Sequence, residues 1–282
     1  MVQAASAAAA ASLAGKTLFI TGASRGIGKA IALRAARDGA RIVVAAKTAE
    51  PDARLPGTIH SAAAEIVAAG GEALPLQVDI RDEAQVQDAV ARAAAYFGGI
   101  DILVNNASAI SLTRAEATPL KRYDLMMDIN VRGAFVCTQA CLPQLRRAAN
   151  PHVLLLAPPL DPDPRWFAQH AAYTVSKYAM SLLGRGLAAE LRDDGIAVNT
   201  LWPRTLIETS ALKVPGLDGT GDGRTPQIMA DAAYRILTRP SRQFSGHACL
   251  DETVLREAGV DDFDPYLARP GTTPALDLFV SA

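Results

Sequence analysis

The stretch Thr21-Gly22-Ala23-Ser24-Arg25-Gly26-Ile27-Gly28 constrains this chain more than any other. An apolar run, Thr17–Ile20, precedes it and reads as a buried strand; Lys29–Ala36 follows with helical periodicity. The glycines therefore occupy a strand-to-helix turn. Gly22 allows the chain to turn tightly, Gly26 presents no Cβ to an approaching pyrophosphate, and Gly28 lets the helix pack closely on the strand. The helix N-terminus adds free N–H groups and the positive end of a dipole. The spacing is Gly-x-x-x-Gly-x-Gly rather than Gly-x-Gly-x-x-Gly, and glycines so spaced also serve tight turns in other α/β proteins. The strand before, the helix after and the basic residue inside the loop favour a dinucleotide site built from Gly22, Ala23, Ser24, Arg25, Gly26, Ile27 and Gly28.

A chain of 282 residues suffices for one large α/β domain with a sizeable core, and its balance of 50% hydrophobic and 20% charged residues is ordinary for a soluble enzyme. A net charge of −1 gives no electrostatic footprint for nucleic acid or an anionic membrane, and no apolar run reaches membrane-spanning length. Cys137, Cys141 and Cys249 read as buried free thiols of a reducing compartment. No His or Cys cluster has ligand spacing, so no metal is expected. Residues 1–12 are mostly alanine and read as a disordered tail ahead of the fold, without the features of a signal or transit peptide.

Strand two, Arg41–Ala46, ends at Lys47. An NAD-preferring site carries an acidic residue here, about 20 residues beyond the glycines, to accept from the adenosine ribose. Lys47 would instead pair with a 2′-phosphate, with Arg25 approaching from the other side, which favours NADP; a solvated strand-end charge is the alternative. A polar loop and a short helix (Ser61–Ala69) lead to strand three (Ala73–Val78) and to Asp79 at its carboxyl end. That carboxylate could accept from the adenine amino group or cap the helix starting near Asp82. A helix over Glu83–Phe97 and a strand over Ile102–Val104 precede Asn105-Asn106-Ala107-Ser108, whose adjacent amides can tie neighbouring strand ends together. Pro119–Arg147 carries a long helical pattern with at most one break, and Asn130 lies within it.

Strand five (His152–Leu156) is stopped by Ala157-Pro158-Pro159. The helix Ala172–Arg192 carries Tyr173 and Lys177, and strand six is Ile196–Leu201. Beyond Pro203 the regularity fades, and residues 204–226 are expected to form a mobile substrate lid. A helix over Gln227–Leu237 and a short strand over Ala248–Leu250 follow. From Asp261 onward, prolines and the apolar anchors Phe263, Tyr266 and Phe279 predict a segment docked on the domain surface. The alternation predicts a single α/β domain over residues 13–282, a doubly wound, mostly parallel sheet with helices on both faces.

Tyr173-Thr174-Val175-Ser176-Lys177 puts a phenol and an ammonium on one face of a helix. An unperturbed phenol, with a pKa of about 10, is a poor base at neutral pH; a nearby lysine and a cationic nicotinamide ring would favour phenolate. The neutral phenol can give a proton to a nascent alkoxide and the phenolate can take one from an alcohol.

The glycine loop, Asn105-Asn106-Ala107-Ser108, Asn130 and Tyr173-x-x-x-Lys177 stand in the order and spacing of the short-chain dehydrogenases/reductases, which the chain resembles. Residues 98–113, Ala157-Pro158-Pro159-Leu160, Trp166-Phe167, Ile196-Ala197-Val198-Asn199 and Leu201-Trp202-Pro203 look like the hydroxysteroid dehydrogenase-like subfamily. Some of its members carry a C-terminal sterol-carrier domain, before which this chain is expected to stop. The resemblance implies a Rossmann fold, NADP, and hydride transfer between nicotinamide and a carbonyl or alcohol. It implies that Gly22–Gly28, Lys47, Asp79 and Asn106 bind cofactor together with Tyr173 and Lys177. Tyr173 would be the acid/base, Lys177 would hold the nicotinamide ribose and lower the phenol pKa, and Asn130 would hold a water linking Lys177 to solvent.

The chain departs from the family in two places. A serine that normally follows strand five to hydrogen-bond the substrate oxygen is replaced within Ala157-Pro158-Pro159, leaving Asp161 or His170 as substitutes. Pro203-Arg204 stands where Pro-Gly is frequent, with Thr205 or Thr209 left to contact the carboxamide. The reading is an NADP-dependent oxidoreductase acting on a small apolar, lipid-derived carbonyl or secondary alcohol. The alternative is an NADP(H)-binding sensor or scaffold with little catalysis. Family members assemble as homodimers or homotetramers through the helices that here bear Asn130 and Tyr173. Val280-Ser281-Ala282 is not a peroxisomal signal, and cytoplasm is the default location.

Overall fold

Strands buried on both faces read as continuous apolar runs, because parallel sheets carry helices on either side. β1 (Thr17–Thr21), β2 (Arg41–Ala46), β4 (Ile102–Asn105), β5 (His152–Leu155) and β6 (Ala197–Trp202) are of this kind. β3 (Glu72–Gln77) and β7 (Ala248–Leu250) lie at the edges and are more exposed. The computed structural model describes residues 12–52, 56–213 and 222–281. Within them seven strands run in the order β3-β2-β1-β4-β5-β6-β7, every neighbouring pair parallel. β1 pairs with β2 on one side and β4 on the other, so Ile20 lies between Val44 and Val104. The chain reverses its direction of travel across the sheet at β1. The carboxyl ends of β1 and β4 therefore flank the crevice where open α/β sheets take ligands.

Alternate residues serve opposite faces. Leu18, Ile20, Ile42 and Val44 pack under α1 (Gly26–Ala36), α2 (Ile59–Ala68), α7 (Gln227–Leu237) and α8 (Asp251–Glu257). Phe19, Val43, Leu103 and Val153 pack under α3 (Glu83–Phe97), α5 (Ala134–Leu145) and α6 (Ala171–Glu190). Cys137 and Cys141 belong to the second layer as buried free thiols, and burial pushes the Cys137 thiol up to about 12.

The pattern over Pro119–Arg147 has no break in the structure. α4 (Leu120–Met126) passes through a π-helical turn, Met127–Gly133, directly into α5, and Asn130 sits buried in that turn. The short α8, which begins as β7 ends, has no separate signal in the sequence. Of the expected lid, residues 204–213 are irregular with a short 3-10 turn at Ser210–Lys213, and residues 214–221 lie outside the described residues, as does nearly all of the alanine-rich tail.

The segment 275–281 keeps Ala275, Leu276 and Ser281 at the surface while Phe279 and Val280 turn in. It lies beside the strand ends: Leu206 N–H donates to the Ala275 carbonyl (2.9 Å), Asp277 N–H to the Arg204 carbonyl (3.0 Å), and the Trp202 indole to the Leu278 carbonyl (2.9 Å). Phe279 is 1% exposed, with ring centroids of Trp166, His170, Tyr173, Tyr178 and Trp202 at 5.3–6.1 Å. Burying that ring outweighs a backbone φ of +69°, the one positive φ of a non-glycine residue among the described residues.

Candidate active site

The crevice is built on Asn106. Its Nδ2 donates to the carbonyls of Thr21 (2.8 Å) and Gly22 (3.2 Å), while the N–H groups of Asn106 and Ala107 both donate to Thr21 Oγ1 at 3.0 Å. This clamp fixes two glycines. A Cβ on Gly22 would lie 2.9 Å from Asn106 Nδ2, and one on Gly28 would lie 2.4 Å from it and 2.9 Å from the Gly22 carbonyl. The close approach that Gly28 permits is thus to the Asn106 amide and the loop, rather than to the strand. Asn106 acts by shaping the loop, with its amide nitrogen committed.

Gly26 has φ +57°, and a Cβ there would meet only Thr209 carbons, at 3.5 Å and beyond. No side chain caps α1, so its first N–H groups are left for another acceptor. In front of them lies a cavity of about 440 Å3, lined on this side by Gly22, Ser24, Arg25, Gly26 and Ile27. Ala23, fully buried, and Gly28 do not line it. An open glycine, uncapped N–H groups and a basic neighbour are the features a pyrophosphate requires.

Lys47 and Asp79 line the far end of the same cavity. Asp79 is bound by Arg81 through Nη2 (2.6 Å) and Nε (3.0 and 3.1 Å), and Lys47 Nζ lies 3.6 Å away. The Arg81 hydrogen bonds outweigh partial burial and hold the Asp79 carboxyl down to about 2. Asp82, not Asp79, caps α3, accepting from the N–H groups of Ala84 (3.0 Å) and Gln85 (3.2 Å). Arg25, which lines the same cavity, donates to the carbonyls of Pro56 (3.2 Å) and Gly57 (2.7 Å).

A second cavity of about 160 Å3 adjoins the first, sharing Ile27, Asn106, Ser108 and Thr209 with it. Its walls are mainly apolar, among them Ile110, Trp202, Leu206 and Leu278. Tyr173 and Lys177 enter it from successive turns of α6, both buried. Lys177 Nζ donates to the Leu156 carbonyl at 2.8 Å. Burial pushes this ammonium down to about 7, against the opposing pull of Asp277. Burial, with the charge of Asp277 added, pushes the Tyr173 phenol above its ordinary value. These surroundings favour the neutral phenol.

Asn130 lines neither cavity. Its Oδ1 accepts from Ala109 N–H (2.8 Å), and its Nδ2 donates to the Ala109 carbonyl and to Ser176 Oγ (both 3.0 Å). Ser176 in turn donates to the Tyr173 carbonyl at 2.8 Å. These bonds tie the loop after β4 to the helix of Tyr173, and Oδ1 keeps a second lone pair. Ala157 is buried and offers no side-chain donor. Neither proposed substitute faces the cavity. Asp161 accepts from the Trp166 indole (2.8 Å) and Asp163 N–H (3.0 Å), while His170 Nδ1 is 3.0 Å from Thr174 Oγ1. Thr209 lines both cavities and Thr205 lines neither; Arg204 sends its N–H to the Asp251 carboxylate (2.9 Å).

The residue that sequence reasoning missed is Asp277. It is the one carboxyl among the residues lining the second cavity, and burial pushes it up to about 7. Its segment has no periodic pattern, and it stands 100 positions beyond Lys177, so nothing in the spacing joins the two.

These features define a class. The chain matches the short chain dehydrogenase pattern over residues 16–214, and it belongs to that family. Among named relatives, hydroxysteroid dehydrogenase-like protein 2 from Danio rerio is 55% identical over 269 residues, 95% of this chain and 64% of that protein. The chain thus spans about 64% of the length of such relatives. A crystal structure from Xanthomonas campestris superposes with a TM-score of 0.93 at 55% identity, covering 96% of this chain and 100% of that one. A short chain dehydrogenase from Mycobacterium thermoresistibile gives 0.91 at 50% identity, covering 96% and 97%. Among the described residues no cluster of His, Cys, Asp and Glu could hold a metal ion, and no helix is long and apolar enough to cross a membrane.

Proposed function

We propose that this protein is an NADP-dependent oxidoreductase that reduces apolar, lipid-derived carbonyls or oxidises the matching secondary alcohols. The observation that carries the reading is the convergence of Tyr173 and Lys177 on a cavity continuous with the Gly26 cradle. When bound, the nicotinamide cofactor supplies or takes the hydride. The amides of the glycine loop would hold its pyrophosphate. Lys47, 58% exposed at the side chain, would pair with a 2′-phosphate. Distant neighbours hold NADP in one case and NAD in another, so the fold does not choose and the choice rests on Lys47.

Tyr173 gives its phenolic proton to the substrate oxygen in reduction. Lys177, pushed down to about 7, can exchange a proton with the site near neutral pH. Ile110, Trp202, Leu206 and Leu212 exclude water and match an apolar substrate. Exposed Phe135, Val175 and Leu182, on α5 and α6, support assembly into a homodimer or homotetramer through these helices.

The test is NADPH oxidation with aliphatic, aromatic and steroid carbonyls, wild type beside Tyr173→Phe, with NADPH fluorescence in the same samples. Turnover that falls by about 10²–10⁴ in Tyr173→Phe, with NADPH binding kept, is the expected result. The buried Ala157 favours a second reading, a cofactor-binding module with little catalysis. Tight NADPH binding without turnover in either protein would select it.

A further inference from the structure

Reducing a carbonyl builds negative charge on its oxygen, and donors aimed at that oxygen supply much of the catalysis. Tyr173 is one such donor. The position after β5 supplies none, because Ala157 has no donor and Asp161 and His170 are turned elsewhere. The polar side chains at the second cavity are therefore decisive. The Asn106 amide nitrogen is held by Thr21 and Gly22, and Lys177 lies on the Leu156 carbonyl. Ser108 leans on the Ala109 carbonyl at 3.5 Å. Thr209 stands where the two cavities meet, whereas Asp277 lines the second cavity alone, with Tyr173 and Lys177, and is electrostatically coupled to both.

Its backbone is fixed at both ends. Asp277 N–H donates to the Arg204 carbonyl (3.0 Å), and Oδ1 accepts from Leu278 N–H at 2.6 Å. Phe279, two residues on, anchors the segment in its aromatic cage. The charged and titratable groups around the carboxyl are Tyr173 and Lys177 on α6 and Asp251 at the start of α8. Arg204 does not neutralise it, since its guanidinium is directed to Glu252 (3.8 Å).

We infer that Asp277 is a catalytic residue whose neutral carboxyl gives the substrate oxygen the second hydrogen bond that Ala157 cannot supply. This role rests on the reductase reading. The carbonyl carbon takes the hydride, the oxygen takes the Tyr173 proton, and Asp277 keeps its own proton, so the step balances as carbonyl reduction. Burial favours the neutral form. Above its pKa the donor becomes an acceptor, and reduction falls on the alkaline side.

The experiment compares wild type, Asp277→Asn, Asp277→Ala and Asp277→Ala with Ala157→Ser. It records kcat and KM against pH, NADPH fluorescence, and the Tyr173 ionisation by ultraviolet difference absorbance against Tyr173→Phe. Asp277→Ala should lose about 10²–10³ in kcat, the effect of removing one oxyanion donor, with NADPH affinity unchanged. Asp277→Asn, which donates at every pH, should retain turnover and lose the alkaline fall. Adding Ala157→Ser should restore part of the rate. Without any substrate, the Tyr173 phenol should titrate at lower pH in Asp277→Asn, because a negative neighbour is gone. An active wild type matched by Asp277→Ala, or an unmoved Tyr173 titration, overturns the role of Asp277 and leaves the reductase reading standing. A wild type that binds NADPH and reduces nothing overturns the reductase reading, and this role with it.

Discussion

Two aspartates stand at opposite ends of one crevice, and their surroundings push them in opposite directions. Asp79, at the mouth of the larger cavity, is bound by Arg81 and approached by Lys47, and is held down to about 2. Asp277, in the smaller cavity with Tyr173 and Lys177, faces mainly apolar walls, and burial pushes it up to about 7. The same side chain is favoured as a charged group in one place and as a neutral one in the other. The difference lies in what each end has to do. Under the proposed function the outer end would recognise a charged, water-borne group, for which fixed and partly solvated charges serve, and the inner end would offer donors to a reacting oxygen, for which a neutral carboxyl is useful.

The largest effect that would test this contrast is on stability. The inner end depends on Phe279, fully buried among five rings. Phe279→Ala should destabilise the protein by about 3–5 kcal/mol in denaturant titration. It should also release segment 275–281, seen as faster hydrogen exchange at Asp277, whose N–H is otherwise held by Arg204. A small loss with unchanged exchange would show that the inner end does not rely on this anchor, and the comparison would fail.

Next in size is Gly28→Ala at the outer end. The added methyl would meet Asn106 Nδ2 at 2.4 Å and the Gly22 carbonyl at 2.9 Å. Overpacking of this sort destabilises by about 1–3 kcal/mol. Asn106→Ala in the same chain should recover only part of the loss, because the Gly22 carbonyl stays in place. Equal stability of Gly28→Ala and wild type would mean that the clamp is looser than its hydrogen bonds indicate.

The two ends also differ in how far they could be read in the sequence. The glycine loop, Lys47 and Asp79 follow one another along consecutive strand–helix units, so hydrophobic periodicity located the strand ends and with them the residues that line the larger cavity. Tyr173 and Lys177 were legible because a helix puts i and i+4 on one face. What spacing could not convey was tertiary. The engagement of Asn130 with Ala109 and Ser176, and the arrival of Asp277 and Phe279 from a segment without regular structure, depend on contacts between distant stretches. The family resemblance named Asn130 without revealing that its amide joins Ala109 to Ser176.

Lys47→Glu sharpens the comparison by reversing a charge at the outer end alone. Lys47 is exposed and loosely paired, at 3.6 Å from Asp79, so its effect on stability should be within a few tenths of a kcal/mol. NADPH affinity should fall roughly tenfold, about 1.4 kcal/mol, by fluorescence titration, with NADH affinity unchanged. Equal loss for both cofactors would remove the argument for a 2′-phosphate at this place.

The pH dependence of unfolding separates the two aspartates by its sign. Asp277 has a folded pKa raised from 3.8 to about 7. Its contribution to stability is therefore complete below about pH 3.8 and is lost as pH rises through 7. Asp79 has a folded pKa lowered from 3.8 to about 2, so its contribution is present above about pH 3.8 and is lost as pH falls through 2. Lys177 acts in a separate window. Its folded pKa is lowered from 10.5 to about 7, so its contribution is complete above pH 10.5 and lost as pH falls through 7. Melting curves of wild type, Asp277→Asn and Asp79→Asn between pH 2 and 8 should show this directly. Asp277→Asn should remove a decline in Tm that the wild type shows between about pH 4 and 7, and Asp79→Asn should change only the acid end. If the wild type shows no decline across pH 4–7 and Asp277→Asn instead removes a gain below about pH 4, Asp277 is a paired carboxylate like Asp79. The two ends of the crevice would then work by the same electrostatics.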